Sequence, residues 1–197
     1  MPETNREHIV TQIQESIEVK NRILSDKNLL EWIWMAADML TECYRKGGIV
    51  IACGNGGSAS DAEHMAGELV GRFLIERKSL PAIALGSNPA VITALGNDYT
   101  FSDIYARQLE AFADSRNILL GITTSGNSEN VIRALEKAKD SGMKTIALLG
   151  RDGGKAGLIA DVPIVVPSDV TARIQESHIL VIHILCDLVE KELYGKR

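Results

Sequence analysis

The chain has 197 residues, 45% of them hydrophobic and 24% charged, with a formal net charge of −5. That length suits one domain able to bury a substantial core, and the mild acidity excludes the basic face that nucleic-acid binding needs. The longest apolar run, Ile179 to Cys186, is interrupted by His183 and is far too short to span a bilayer.

Residues 5–25 place Ile9, Ile13 and Ile17 at i, i+4, i+8, and residues 28–46 place Leu29, Ile33, Ala36, Ala37 and Leu40 on a similar stripe, so both read as amphipathic helices. The opening MPETNREHIVTQIQE contains no apolar stretch of signal-peptide type. Short apolar runs then follow at 49–53, 82–85, 118–122, 145–149 and 162–166, mostly without alternation. Between them lie helical patterns at about 59–77, 101–113 and 128–141, with a last one at 172–194. Continuous apolar runs alternating with helices argue for parallel strands covered on both faces. The expected fold is therefore α/β, a doubly wound five-stranded parallel sheet with two extra N-terminal helices and a long buried C-terminal helix. Pro163 places the last strand at an edge. Residues 1–197 read as a single domain, with 1–46 a helical pair and 47–197 the α/β core. The helices exceed what one sheet needs to cover itself, which predicts helix-mediated homo-oligomerisation. Cys43, Cys53 and Cys186 show no paired spacing and read as reduced thiols of a cytoplasmic protein.

In an open α/β sheet, ligands bind beyond the carboxyl ends of the strands. After the first strand comes GNGGS (Gly54, Asn55, Gly56, Gly57, Ser58), and after the third comes TTSGNS, with Thr123, Thr124, Ser125 and Ser128 supplying hydroxyls. Each leads into a helix N-terminus, where free N–H groups and the dipole favour an anion. Ordinary turn chemistry, with Ser128 as an N-cap, explains either loop alone; two on one sheet edge favour a ligand cradle, with TTSGNS the better anion site. Neither loop matches GxxxxGK[ST], and no GxGxxG is present, so no nucleotide cofactor is expected.

His64, Glu68 and Arg72 stand at i, i+4, i+8, and Gln175, Ile179 and His183 form a similar ridge in the last helix. His178 is roughly 140° around that helix from His183 and should not share its site. A solvated pair explains His64 and Glu68, and a satisfied core histidine explains His183, as long as each is taken alone. Together, two imidazoles, a carboxylate and the Gln175 amide oxygen suit a divalent metal such as zinc, and a carboxylate with an imidazole suits proton transfer.

CGNGGSASDAEHMAGELVGRF, GNDY, TTSGNS, RDGG and TARIQESHILVIHILCDLVE, in this order, resemble the sugar isomerase (SIS) domain proteins and, among them, the bacterial phosphoheptose isomerases. The similarity extends over essentially the whole chain. It implies conversion of D-sedoheptulose 7-phosphate, a phosphorylated seven-carbon sugar, into D-glycero-D-manno-heptose 7-phosphate, the first step towards activated heptose for lipopolysaccharide core or other surface glycans. It further implies a cytoplasmic homotetramer with active sites at subunit interfaces and one zinc ion per subunit, held by His64, Glu68, Gln175 and His183. Phosphate and sugar contacts implied by the motifs are Asn55, Gly56, Gly57, Ser58, Glu68, Arg72, Asn97, Asp98, Thr123, Thr124, Ser125, Ser128 and Gln175. Thr123 replaces the first Ser of a commoner STSGNS, and Ala172 stands where some members carry Asp or Pro.

Moving a carbonyl between C2 and C1 needs a base at C1, an acid that returns a proton at C2, and stabilisation of the enediol(ate); no redox cofactor enters. Glu68 is the expected base and His183 the expected acid. Two other readings share these motifs: a non-catalytic SIS protein that binds a phosphosugar or the bacterial replication initiator, and an isomerase or lyase for a different phosphosugar. The presence of both Glu68 and His183 favours the enzyme over the binding protein, and GNGGS followed by the His64–Glu68 helix argues against the other phosphosugar enzymes.

Overall fold

A computed structural model describes residues 3–195; residues 1, 2, 196 and 197, the ends of the expected 1–197 span, lie outside the described residues. The chain runs α1 (Glu3–Ser25), α2 (Lys27–Arg45), β1 (Val50–Gly54), α3 (Gly57–Val70), β2 (Ala82–Ala84), α4 (Pro89–Asp98), α5 (Ile104–Leu109), β3 (Ile118–Thr123), α6 (Glu129–Asp140), β4 (Lys144–Gly150), α7 (Gly154–Ile159), β5 (Val162–Val166) and α8 (Thr171–Tyr194). The five strands form one parallel sheet in the order β2-β1-β3-β4-β5. That order puts the topological switch point between β1 and β3, the pair whose following loops are GNGGS and TTSGNS. Pro163 lies on β5, which is an edge strand as expected.

The apolar strands divide their side chains between two cores. Val50, Ala52, Ile118, Leu120, Ile122, Ile146 and Leu148 pack with α2, α3 and α8, while Ile51, Cys53, Leu119, Ala147 and Leu149 pack with α5 and α6. Alternate residues of one apolar run thus serve opposite faces, which is why the runs lack polar alternation. Fully burying each such leucine or isoleucine contributes about 1.5–3 kcal/mol. All three cysteines are free and buried, and burial pushes the Cys53 thiol up to about 12.

Asp26 caps α2 by accepting from the amides of Asn28 (2.9 Å) and Leu29 (3.1 Å), and α2 buries Leu29, Ile33, Ala36, Ala37 and Leu40. On α1, by contrast, Ile9, Val10, Ile13 and Ile17 remain about half exposed. α8 buries Ile174, Val181, Ile182, Leu185 and Val189 but turns Leu180 and Ile184 outward.

Three expectations need correction. The helix over 59–77 ends at Val70, with the Gly71 amide closing on the Gly67 carbonyl at 2.8 Å. A continuing helix would send the amides of Phe73, Leu74 and Ile75 back four residues; here they go to the Glu190 carboxylate instead. The ridge His64-Glu68-Arg72 therefore loses its third member, because Arg72 lies in the loop after α3. Residues 101–113 form the short helix α5 between two 3-10 turns rather than one helix, and two helices appear where none was expected, α7 and α4, the latter started by an Asn88 cap and Pro89.

Candidate active site

The loop after β3 is held from below. Gly126 (φ +67°) approaches the next loop so closely that a Cβ there would meet the Gly153 carbonyl oxygen at 2.1 Å. The Gly126 carbonyl accepts from the Ala156 amide at 2.9 Å, and Gly153 also has a left-handed φ, so the RDGG loop supports TTSGNS. Thr123 Oγ1 lies 2.9 Å from Ser128 Oγ and 3.4 Å from Ser125 Oγ. Ser128 occupies the N-cap position of α6, yet its side chain makes no capping bond among the described residues. Three hydroxyls therefore cluster beside a helix start that Ser128 does not cap, where the Val131 amide goes to the Asn130 side chain (3.0 Å) and the amides before it suit an anion. Thr124 and Ser125 are half-buried at the same turn.

The loop after β1 is wired differently. The Asn55 and Asn130 amides donate to each other at 2.8 and 2.9 Å, and the Tyr105 hydroxyl donates to the Gly54 carbonyl. Gly56 turns the chain with φ +56°, Ser58 is buried, and a Cβ on Gly57 would meet Gln175 Nε2 at 2.5 Å. Gln175 thus lies across the first turn of α3, bringing the head of α8 to this loop.

Two turns further along, α3 and α8 bring three donors together. His64 Nε2 lies 3.1 Å from His183 Nε2 and 3.1 Å from Glu68 Oε1, and the ligating atoms of His64, Glu68 and His183 all fall within 4.8 Å of one another. The His64 and Glu68 side chains keep 44% and 25% exposure, so solutes reach them. A tetrahedral cation with metal–nitrogen bonds of about 2.0–2.1 Å spaces its ligand atoms about 3.3 Å apart, close to the spacing here. Two imidazole nitrogens and a carboxylate oxygen facing one point are the donor set of a divalent metal, and these residues fit one.

The remaining expected residues are not gathered so tightly. Arg72 is exposed and pairs with Glu76 at 3.3 Å. Asn97 and Asp98 are exposed at the end of α4, where the Asn97 amide donates to Asp98 at 2.9 Å. Ala172 is exposed in the first turn of α8. His178 faces away from His183, as its angular offset requires, and its Nε2 donates to the Leu149 carbonyl at 2.9 Å.

Several residues not singled out in the sequence contribute here. Asn130 and Tyr105 hold Asn55. The Phe73 ring stacks on His183, with centroids 5.4 Å apart and planes 25° apart. Asp61, one turn before His64, has a buried Oδ2 without a hydrogen-bond partner among the described residues, and burial raises its carboxyl above the usual range against the pull of His64. Only Asp61 left a local signal, its i, i+3 spacing to His64.

A SIS domain family model matches residues 12–150. The phosphoheptose isomerase of Clostridium acetobutylicum is 49% identical over 189 residues, covering 96% of each chain. That of Leptospira biflexa is 52% identical, covering 95% of this chain and 96% of its own. A solved phosphoheptose isomerase from Francisella tularensis superposes with a TM-score of 0.91 at 42% identity, covering 95% of this chain and 98% of its own. On that match and those identities over nearly its whole length, the chain belongs to the SIS domain family and, within it, to the phosphoheptose isomerases.

Proposed function

We propose that the chain interconverts D-sedoheptulose 7-phosphate and D-glycero-D-manno-heptose 7-phosphate through an enediol(ate), with Glu68 and His183 transferring the protons. The observation that carries this reading is the His64-Glu68-His183 cluster, set on two helices beside the switch point of the sheet. The phosphate is assigned to the hydroxyls of Thr123, Thr124, Ser125 and Ser128 and to the first amides of α6. Asn55, Gly56, Gly57 and Ser58 line the sugar end, and Arg72, Asn97 and Asp98 are assigned to sugar or phosphate contacts brought in across a subunit interface.

Glu68 lies one turn from His64, which its Oε1 approaches at 3.1 Å, and its carboxylate is assigned to the proton at C1. His183 returns a proton at C2, its ring plane set by Phe73 on one side and its Nε2 directed at His64 on the other. Zinc, held by His64, Glu68 and His183 with Gln175 as a fourth donor, would supply charge that polarises the sugar oxygens. No redox cofactor or nucleotide enters the reaction. The exposed apolar stripe Ile9, Val10, Ile13 and Ile17 on α1 supports assembly through the N-terminal helices, and we assign a homotetramer with sites at its interfaces. Among the described residues no helix is long and apolar enough to cross a membrane, and we assign the protein to the cytoplasm, in the supply of activated heptose for lipopolysaccharide or other surface glycans.

The test is a coupled assay with sedoheptulose 7-phosphate, run with chelator and with zinc added back. Glu68→Gln and His183→Gln are expected to fold and to lose turnover by about 10²–10⁴-fold. Near wild-type turnover in either variant contradicts the assignment. Absence of turnover by the native chain under every metal condition favours a phosphosugar-binding protein without catalysis.

A further inference from the structure

The loop after α3 is organised around a single buried carboxylate. Glu190, on α8, is completely buried and pairs with the equally buried Arg77 at 2.7 Å. Its Oε1 also accepts from the Phe73 amide at 2.7 Å, and its Oε2 accepts from the amides of Leu74 and Ile75, both at 2.8 Å. Burial pushes this carboxyl upward, yet the three amides and the guanidinium outweigh burial and hold it below the usual range. Arg77 uses its other nitrogens on α3, donating to the carbonyls of Glu68 (2.9 Å) and Leu69 (2.8 Å), two of the carbonyls a helix end leaves unpaired.

Both ends of this clamp lead to the proton-transfer pair. Glu190 follows His183 by seven residues, two helical turns, so the two share one face of α8. The Phe73 amide bound by Glu190 belongs to the residue whose ring lies flat on His183. The Glu68 carbonyl bound by Arg77 belongs to the residue whose carboxylate faces His64.

We propose that the buried Glu190–Arg77 pair is a positioning device for the isomerisation: it holds Phe73 against His183 and the end of α3 beneath Glu68, and so fixes the separation of base and acid. The proposal rests on the proton-transfer roles assigned above. Neither Glu190 nor Arg77 touches the sugar; they act through His183 and Glu68. A small misplacement of reacting groups costs up to about 100-fold in rate, so the effect belongs in kcat.

The experiment compares Phe73→Leu, Glu190→Gln and Leu74→Ala in the full-length protein. Phe73→Leu keeps an apolar side chain on the loop and tests the stack where Glu190→Gln fails to fold. Leu74 is exposed and offers the clamp only its amide, so Leu74→Ala serves as the control. Two readouts are taken: kcat and KM for sedoheptulose 7-phosphate, and the proton resonances of the His183 ring in chelator-treated protein, which the Phe73 ring current displaces. Phe73→Leu and Glu190→Gln are expected to lower kcat about 10- to 100-fold with KM within about threefold, and to move the His183 resonances towards an unstacked imidazole. Leu74→Ala should leave both readouts unchanged. Unchanged kcat in Phe73→Leu or in folded Glu190→Gln, a loss confined to KM, or a fall in kcat in Glu190→Gln with unmoved His183 resonances overturns the proposal. An inactive wild-type chain overturns the catalytic reading beneath it, a failure recognised by its presence before any substitution is made.

Discussion

After β1 the polar groups are taken up by the protein: the Asn55 amide is paired with Asn130, the Gly54 carbonyl with Tyr105, and Gly57 lies under Gln175. After β3 the hydroxyls bond mainly within the loop itself, Ser125 also accepting from the Asn127 amide at 3.1 Å. The hydroxyls of Thr123, Ser125 and Ser128 meet one another beside an uncapped helix start, and the support comes from below, where Gly126 rests on Gly153. The two loops share a composition of glycine, serine and asparagine and an identical place on neighbouring strands. Composition therefore marks a loop as able to approach a ligand, and its internal hydrogen bonds distinguish the proposed phosphate site after β3 from the loop that meets Gln175 after β1.

The largest expected effect comes from breaking the support of the gripping loop. Gly126→Ala puts a Cβ 2.1 Å from a backbone oxygen, at a φ of +67°, so the loop must move. kcat/KM for the phosphosugar should fall at least about 100-fold, mostly through KM, in steady-state kinetics. Retention of the native KM would show that TTSGNS does not hold the phosphate.

Acid should act on the scaffold common to both loops. Burial lowers the His178 imidazole to about 4 while its Nε2 donates to Leu149 at the end of β4. The unfolded chain binds this proton near 6.5, so stability from the neutral ring is complete above that pH and is lost as pH falls towards 4. The full loss is about 3 kcal/mol, read as a falling unfolding midpoint between pH 6.5 and 4, and His178→Gln should flatten that slope. A midpoint unchanged over this window would contradict a buried neutral His178.

Asn130→Ala sharpens the comparison from the other side. It removes both bonds to Asn55 and the acceptor of the Val131 amide while leaving the TTSGNS hydroxyls in place, and should lower kcat about tenfold with a smaller change in the affinity for inorganic phosphate as a competitive inhibitor. The smallest effect is expected from Gly57→Ala, whose Cβ meets only the flexible end of Gln175; about 1 kcal/mol, or fivefold in zinc affinity measured by competition with a chelating dye, is the ceiling.

The sheet and the chemistry-bearing ridges were legible because their signals are local. Apolar runs marked each strand, and the one-turn spacing of His64 and Glu68 put both on one face of α3. The expected Arg72 position on that ridge failed because the helix ends early, and the group that ends it, Glu190, lies more than a hundred residues away. Asn55 with Asn130 and Phe73 with His183 are likewise pairs across the fold, with no periodicity to announce them. α4 was different: its Asn88-Pro89 start is a local signal that the short apolar segment after it obscured.

The central claim is that Glu68 removes the proton from C1. Sedoheptulose 7-phosphate incubated in deuterium oxide with the zinc-loaded native chain should return as ketose carrying deuterium at C1, and Glu68→Gln should leave C1 unlabelled while still binding the sugar phosphate. Deuterium entering C1 at the native rate in Glu68→Gln would contradict the account.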